Sequence, residues 1–348
     1  MSTAQRPGPA EERAVVAAAQ AGDEAAFAGL VERHQRELQL HCYRMLGSFE
    51  DSEDMVQETL LRAWRKRASF QGRSTFRAWL YRIATNACLD FLDRHPRRPR
   101  KRRPVPASNP AAVLAPATDV PWLQPYPDQL LEPIAPSDAE PDAAVVAKET
   151  IELAFLAAMQ HLPPRQRAVL IMRDVLGWSA HETATLLDLS VPAVKSALQR
   201  ARATLKQHLP QRRLDWSPSE DPSAEERAVL QRFMAASERA DMTALAALIR
   251  EDAWQTMPPH RDWFPGREAM LTMWAEAMTG AEAWGDWHLV ATRANRQPAA
   301  ANYFRPPGES AYRASNLDVL RIEDGLIAEI TTFSADLFPV FDLPSTLS

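Results

Sequence analysis

Apolar residues recur at helical spacing, with short breaks, from about Val15 to His95, and again from about Ala143 to Leu209. Between these stretches the periodicity stops: the segment from Pro96 to Asp142 holds 12 of the chain's 28 prolines. From about Pro222 the pattern opens with two helices, near Ala224 to Ala240 and Met242 to Ile249. It then changes to the alternation of strands near Asp286 to Asn295, Ala299 to Phe304, Tyr312 to Glu323 and Leu326 to Phe333. Asp324-Gly325, set between two apolar runs, signals a hairpin, because both residues tolerate the positive φ of a tight turn. The pattern predicts a multidomain chain. Two all-α domains, spanning 15–95 and 143–210, are joined by a Pro-rich linker (96–142), and an α+β domain follows (222–345).

Two helices in the first zone carry polar faces worth attention. Over Phe49 to Arg67 the stripe Met55, Val56, Thr59, Leu60, Ala63, Trp64 is built for burial, and Asp54, Gln57, Glu58, Leu61 and Arg65 form the opposite face. A leucine among exposed charges marks a binding face or is a stray apolar residue; periodicity alone favours the second. The next helix, capped at Ser74, sets Phe76, Trp79, Leu80, Ile83, Ala84, Ala87 and Phe91 toward the core and Arg77, Arg82 and Asn86 outward. Aromatic rings beside arginines suit single-stranded DNA, where bases stack and phosphates pair with guanidinium groups. Phe70, in the preceding loop with Arg73, is the better stacking candidate; Phe76 and Trp79 belong to the core.

The sharpest local signal lies in the third zone. Pro164 starts a helix that Gly177 ends, and Ser179-Ala-His-Glu182 is a capping box that opens another. After a short break Ser190 caps a third helix, whose buried stripe is Val194, Ala197, Leu198, Ala201 and Leu205. Two short helices with a tight turn form a helix-turn-helix. The second would enter the major groove and set Lys195, Ser196, Gln199 and Arg200 against base edges. Arg165, Arg173, Arg202 and Lys206 would hold phosphates.

Charge supports this division. The whole chain carries −5, yet Arg165 to Lys206 holds seven basic and three acidic residues. In the linker, Arg94 to Arg103 has seven basic residues in ten, whereas Thr118 to Asp142 has six acidic residues and no Lys or Arg. The basic part suits phosphate. Trp122, Leu123, Tyr126, Leu130 and Leu131 are unusual for a passive linker and imply that it docks on something. Residues 222–348 carry 18 acidic and 11 basic residues, so this zone is not a third DNA module. Cys42 and Cys88 sit in apolar helical patterns and are expected as buried free thiols. No apolar run reaches the roughly 18 residues of a membrane span, and the N-terminus lacks a signal-peptide core. A soluble cytoplasmic protein without membrane partner, metal or cofactor is expected.

Five strings in order carry a family resemblance: Tyr43-Arg-Met-Leu-Gly47, Asp51-Ser-Glu-Asp-Met-Val-Gln-Glu-Thr59, Phe76-Arg-Ala-Trp-Leu-Tyr-Arg-Ile-Ala-Thr-Asn-Ala87, Leu162-Pro-Pro-Arg-Gln-Arg167 and Val194-Lys-Ser-Ala-Leu-Gln-Arg-Ala-Arg202. Over residues 15 to 209 the chain resembles the extracytoplasmic-function (ECF) sigma factors of bacterial RNA polymerase. The resemblance implies that the face of Asp54, Gln57, Glu58, Leu61 and Arg65 docks on the clamp of core RNA polymerase. It assigns Phe70, Arg73, Arg77, Arg82 and Asn86 to the minus-ten element, the helix-turn-helix to the minus-thirty-five element, and a path toward the polymerase active centre to the linker. Promoter DNA and core RNA polymerase are thus the implied partners.

The last zone resembles a SnoaL-like domain, a fold that often holds a ligand cavity. Its candidate pocket residues are Trp254, Trp263, His288, Tyr303 and Asp318, with a small molecule as candidate ligand. The resemblance implies a regulatory domain and no catalytic residues. The rival reading is a DNA-binding module fused to a SnoaL-like enzyme, in which His288 and Asp318 would share a pocket to do acid–base work.

Overall fold

Short polar residues set the helix starts. Asp23, Ser48 and Thr75 each accept the backbone N–H three residues on, and open α1-following helices α2 (Glu24–Leu46), α3 (Phe49–Lys66) and α4 (Phe76–Arg94); α1 itself is Pro9–Gln20. The cap of α4 is thus Thr75, one residue beyond the expected Ser74. Gly47, at φ 71°, takes the left-handed position that ends α2. These coordinates are a computed structural model that describes residues 9–70, 72, 74–97, 103–104, 120–131, 152–209, 222–260, 262–281 and 283–348. The chain divides into two units.

The first unit joins the N-terminal helices to Leu162–Thr204. Leu38, Cys42, Tyr43, Met45, Leu46, Val56, Ala63, Leu80, Ala84, Ala87 and Cys88 form its buried centre. Cys42 and Cys88 are free thiols joined by a hydrogen bond, and burial raises the Cys88 thiol. The helix-turn-helix follows its expected signals. Here α6 (Pro164–Leu170) continues through a π-helical turn at Ile171–Val175; α7 (Ala180–Leu187) has both bonds of the Ser179/Glu182 capping box; Asp188 turns at φ 55°. Ser190 Oγ then accepts from Ala193 N at the start of α8 (Val191–His208).

The helix-turn-helix lies in the same unit as the N-terminal helices. It packs on two of those helices: α6 lies against α2 and α4, and α7 against α4. Arg167 is buried and its guanidinium donates to the Met45 and Leu162 carbonyls. Burial lowers its pKa to about 9, and the Cys88 thiol opposes that shift. The Trp178 ring meets Tyr81 edge-on at 5.3 Å. A buried arginine that satisfies two carbonyls was not legible from sequence, where Arg167 was only one of seven basic residues in this zone.

The second unit comprises α5 (Leu153–Met159), the C-terminal zone and part of the linker. Helices α9 (Ala224–Glu238), α10 (Met242–Leu248) and α11 (Gly266–Met278) accompany an eight-stranded sheet. Its strands are β1 (Arg103–Pro104), β2 (Ile249–Thr256), β3 (Asp262–Pro265), β4 (Asp286–Ala294), β5 (Gln297–Arg305), β6 (Tyr312–Glu323), β7 (Leu326–Ser334) and β8 (Thr346–Leu347), in the order β1-β3-β2-β7-β6-β5-β4 with β8 on β6. The four strands from β4 to β7 match the alternation, and Asp324 (φ 52°) and Gly325 (φ 72°) make the expected turn. The sequence reading missed β2, β3 and α11. One face of the sheet, through Leu289, Ala300, Leu320 and Ile330, is packed under Val229, Leu230, Phe233, Met270 and Trp274 of the helices.

Linker residues 120–131 are part of this unit. Tyr126 N donates to Asn295 Oδ1 at 2.7 Å and Asn295 N returns a bond to the Tyr126 carbonyl at 2.9 Å. Pro127 bridges Ala294 at the β4 end of the sheet, Arg296 N donates to Asp128 Oδ1 at 2.8 Å, and Gln129 Nε2 donates to Asp342. Val120, Leu123, Tyr126 and Leu131 are buried. At the other end of the sheet, β1 adds linker residues 103–104 in parallel to β3.

Candidate nucleic-acid interface

The α3 face emerges as a surface. Glu53, Asp54, Gln57, Leu61 and Arg65 are exposed, while Val56, Thr59 and Ala63 are buried. Leu61 is 51% exposed, one of three exposed large apolar side chains among the described residues. An apolar side chain ringed by charge on a rigid helix has the form of an interface centre. Glu58 is half-buried and pairs with Arg62 at 2.6 Å, and Arg62 in turn reaches Asp90 of α4 at 2.6 Å. Glu58 therefore also braces α3 against α4.

Residues expected at the minus-ten element divide. Arg82 and Asn86 lie exposed on α4. Arg77 does not: it donates to Glu37 Oε2 at 2.8 Å and its guanidinium lies over the Tyr81 ring. Burial would raise the Glu37 carboxyl, but His34 and the Arg77 charge hold it below the usual carboxylate range. Nearby His41 is buried and held neutral, its pKa lowered to about 3 by burial and the Arg44 charge. Phe70 also differs from expectation. It is buried, edge-on to Phe76 at 5.7 Å and 5.3 Å from Trp79, which is itself only half-buried. The least buried ring of the three is Trp79, the one that helical spacing had placed in the core. Arg73 lies outside the described residues.

On the helix-turn-helix, Lys195, Ser196, Gln199 and Arg200 are all exposed over two successive turns of α8. Arg200 bonds Ser196 Oγ at 2.5 Å, so the pair forms one donor–acceptor group. Arg165 and Lys206 are exposed as well. Arg202 and Arg173 are engaged within the motif: Arg202 makes a two-point bond to Asp174 at 2.7 and 2.8 Å, and Arg173 donates to the Trp178 carbonyl. The Arg202 pair ties α8 to the π-helical turn, and the Arg173 bond ties that turn to the loop before α7. A phosphate role for Arg202 competes with a well-formed ion pair.

The five candidate pocket residues are not brought together. Paired strand residues share a face, so the register places Tyr303 with His288 on one side of the sheet. Trp254 with Glu329 and Arg321, and Trp263 with Thr256, fall on that same side. Asp318, paired with Ala300, lies on the other, under the helices. His288 pairs with Glu238 at 2.9 Å at an exposed position, and Tyr303 is covered by Phe338 and bonds the Pro344 carbonyl. Instead Asp318 accepts from Thr332 Oγ1 at 2.6 Å, Asn302 Nδ2 at 2.7 Å and Asn316 Nδ2 at 2.9 Å. Sequence reasoning missed these partners. The available signal was Asn316 and Asp318 alternating in phase with apolar Leu320, two polar residues on a face that should be buried.

No single helix among the described residues is long and apolar enough to cross a membrane. Residues 30–98 match the sigma-70 region 2 family, 152–205 the sigma-70 region 4 family, and 230–330 the SnoaL-like domain family. The ECF RNA polymerase sigma factor SigG of Mycobacterium tuberculosis is 40% identical over 328 residues, which cover 92% of this chain and 85% of SigG. SigW of Bacillus subtilis is 30% identical over 188 residues, or 54% of this chain and 91% of SigW. The crystal structure of Mycobacterium tuberculosis SigJ shares the fold, with a TM-score of 0.57 over 91% of this chain and 100% of that one at 20% identity. With identity sustained from the first helical zone into the C-terminal sheet, and two sigma-70 regions in order, the chain belongs to the ECF sigma factors, which bind core RNA polymerase and direct promoter-specific transcription initiation.

Proposed function

We propose that the C-terminal domain restrains this sigma factor by holding its linker, and that the chain has no active site of its own. The observation that carries this is the reciprocal pair of bonds between Tyr126 and Asn295. In the family the linker threads toward the polymerase active centre; a segment fixed at the end of a sheet is withheld from that path. Two buried hydrogen bonds, each costing roughly 1–3 kcal/mol to break without replacement, suffice for a hold that polymerase binding can still overcome. Amide hydrogen exchange tests it. Tyr126 and Leu131 should be protected in the free protein and lose protection on core polymerase, and protection retained in the complex contradicts the proposal.

The remaining assignments follow the same frame. Region 2 spans 15–95, the linker 96–142, region 4 143–210 and the regulatory domain 222–345, acting in the cytoplasm with the polymerase. Asp54, Gln57, Glu58, Leu61 and Arg65 dock on the polymerase clamp; Arg82 and Asn86 face the minus-ten element; Lys195, Ser196, Gln199 and Arg200 read the minus-thirty-five element. Asp54→Ala with Leu61→Ala should weaken core polymerase binding by about tenfold or more, since a central apolar anchor and its rim charge are both lost. Titration with labelled core polymerase checks this, and binding at the wild-type level counts against the assignment. The enzyme reading is disfavoured because His288 and Asp318 point to opposite sides of the sheet.

A further inference from the structure

The helix-covered face of the C-terminal sheet carries an unusual polar chain. Trp274 Nε1 donates to Gln255 Oε1 at 2.9 Å, and Gln255 Nε2 donates to Thr332 Oγ1 at 2.8 Å. Thr332 Oγ1 passes its proton bond to Asp318 Oδ1, while Asn316 and Asn302 donate to the two carboxylate oxygens. Every bond runs toward Asp318, so the network is built to support a carboxylate. None of its bonding partners is cationic, and burial works against the charged form. A buried charge without a counterion is costly unless something supplies one.

The carboxylate at the centre of this chain has room for one more donor. A carboxylate offers about four acceptor positions, and only three are used here. Asn302 and Asn316 each give one N–H of the side-chain amide to Asp318 and keep a second N–H and the amide oxygen. The open position on the carboxylate is an acceptor, and the ligand group that fills it must donate.

There is also access. Neighbouring Ala300, Leu320 and Ile330 on this face are 0% exposed, as a filled core requires, whereas Asp318, Asn302 and Thr332 keep 7%, 5% and 8%. Farther along the same face, Asn316, Phe304 and Trp287 are half-buried, so the packing loosens toward that end. The entrance is aromatic: Trp284, Trp287 and Phe304 lie 5.9 Å apart in a cluster, and Trp284 is 52% exposed. Trp287 Nε1 is buried with no partner among the described residues. Ring faces attract cations as well as flat apolar groups.

We propose that this face binds a protonated amine carried on a flat apolar body, with the ammonium at Asp318, Asn302 and Asn316 and the body against Trp287 and Phe304. This is a binding site, distinct from the five residues that the sequence offered as a pocket; only Asp318 is common to both. The inference deepens the regulatory reading, because β4, which carries Trp287, is the strand on which Pro127 rests at Ala294.

Calorimetric titration of the full-length chain tests it with three probes of one shape: naphthylmethylammonium, naphthylmethanol and naphthoate. The ammonium should bind most tightly, the alcohol more weakly and the carboxylate least. Asp318→Asn keeps the side-chain shape and should weaken ammonium binding by about tenfold or more, with little change for the alcohol, since only the charge partner is lost. Trp287→Ala, at the half-buried rim, should weaken ammonium and alcohol alike and guards against a fold lost at position 318. Naphthoate binding as tightly as the ammonium, equal ammonium binding by Asp318→Asn, or no binding of the ammonium by the wild-type chain each overturns the proposal. Binding that leaves transcription unchanged counts instead against the regulatory reading, so the two fail separately.

Discussion

Bridging α4 to α7 is expected to abolish promoter-directed transcription. Ala78→Cys and Ala180→Cys are small changes at half-buried positions beside the Tyr81–Trp178 contact, on helices that lie against each other. The native thiols are buried and will not compete for a flexible, cleavable bis-maleimide. The argument is one of length. The minus-ten and minus-thirty-five elements, by name about 25 base pairs apart, are separated by roughly 85 Å of duplex at 3.4 Å per pair. A folded unit of about 140 residues has a radius of gyration near 14 Å, so both elements lie beyond its simultaneous reach. The helix-turn-helix must leave α2 and α4 before both are engaged, and a covalent bridge forbids it. Run-off transcription with core polymerase should fall by at least about tenfold, since the open state cannot be populated. Cleaving the bridge should restore it. A bridged protein that transcribes like the unbridged double variant would show that the packed form is itself competent.

Arg200→Ala should cost roughly 1–3 kcal/mol of upstream-element recognition, about five- to 150-fold in occupancy. The residue is exposed on α8, and its bond to Ser196 Oγ at 2.5 Å holds the guanidinium over the surface. The loss should appear on a promoter with an intact minus-thirty-five element and shrink when that element is scrambled. Equal loss on both templates would indicate a phosphate contact without sequence reading; no loss on either would remove Arg200 from the interface. Arg202→Ala provides a contrast. Its guanidinium is held by Asp174, so its removal should lower thermal stability while leaving the template preference unchanged.

Much of this architecture was legible because periodicity and caps agree. Ser179-Ala-His-Glu182 fixed the start of α7 and Asp324-Gly325 the β6–β7 hairpin, each through bonds local in sequence. Contacts distant in sequence were not legible. Arg77 and Arg202 read as surface cations in the sequence and Arg167 only as one basic residue among seven, yet each is held by a partner 28 to 122 residues away. The exchange of roles between Phe70 and Trp79 has the same origin. Helical phase places Trp79 on the core side, but where a loop phenylalanine folds back depends on the tertiary packing around Phe76. Strand β2 was hidden because Arg250, Glu251 and Asp252 open it with three consecutive charges, and Arg250 is neutralised by Asp252 and Glu323 only once the sheet has formed. The apolar residues of the linker gave a true signal, since Leu123, Tyr126 and Leu131 are buried, but the residue that Tyr126 bonds is 169 residues further along the chain.

The linker hold is most directly tested by multi-round transcription with core polymerase, comparing the wild-type chain with Asn295→Gly combined with Asp128→Ala. Glycine preserves the turn at φ 56° while removing the acceptor of Tyr126 N, and the second change removes the acceptor of Arg296 N. Losing one buried and one part-buried bond should favour the released linker by about tenfold or more and raise transcription accordingly. If hydrogen exchange reports the segment released and transcription does not rise, the C-terminal domain does not restrain this sigma factor through its linker.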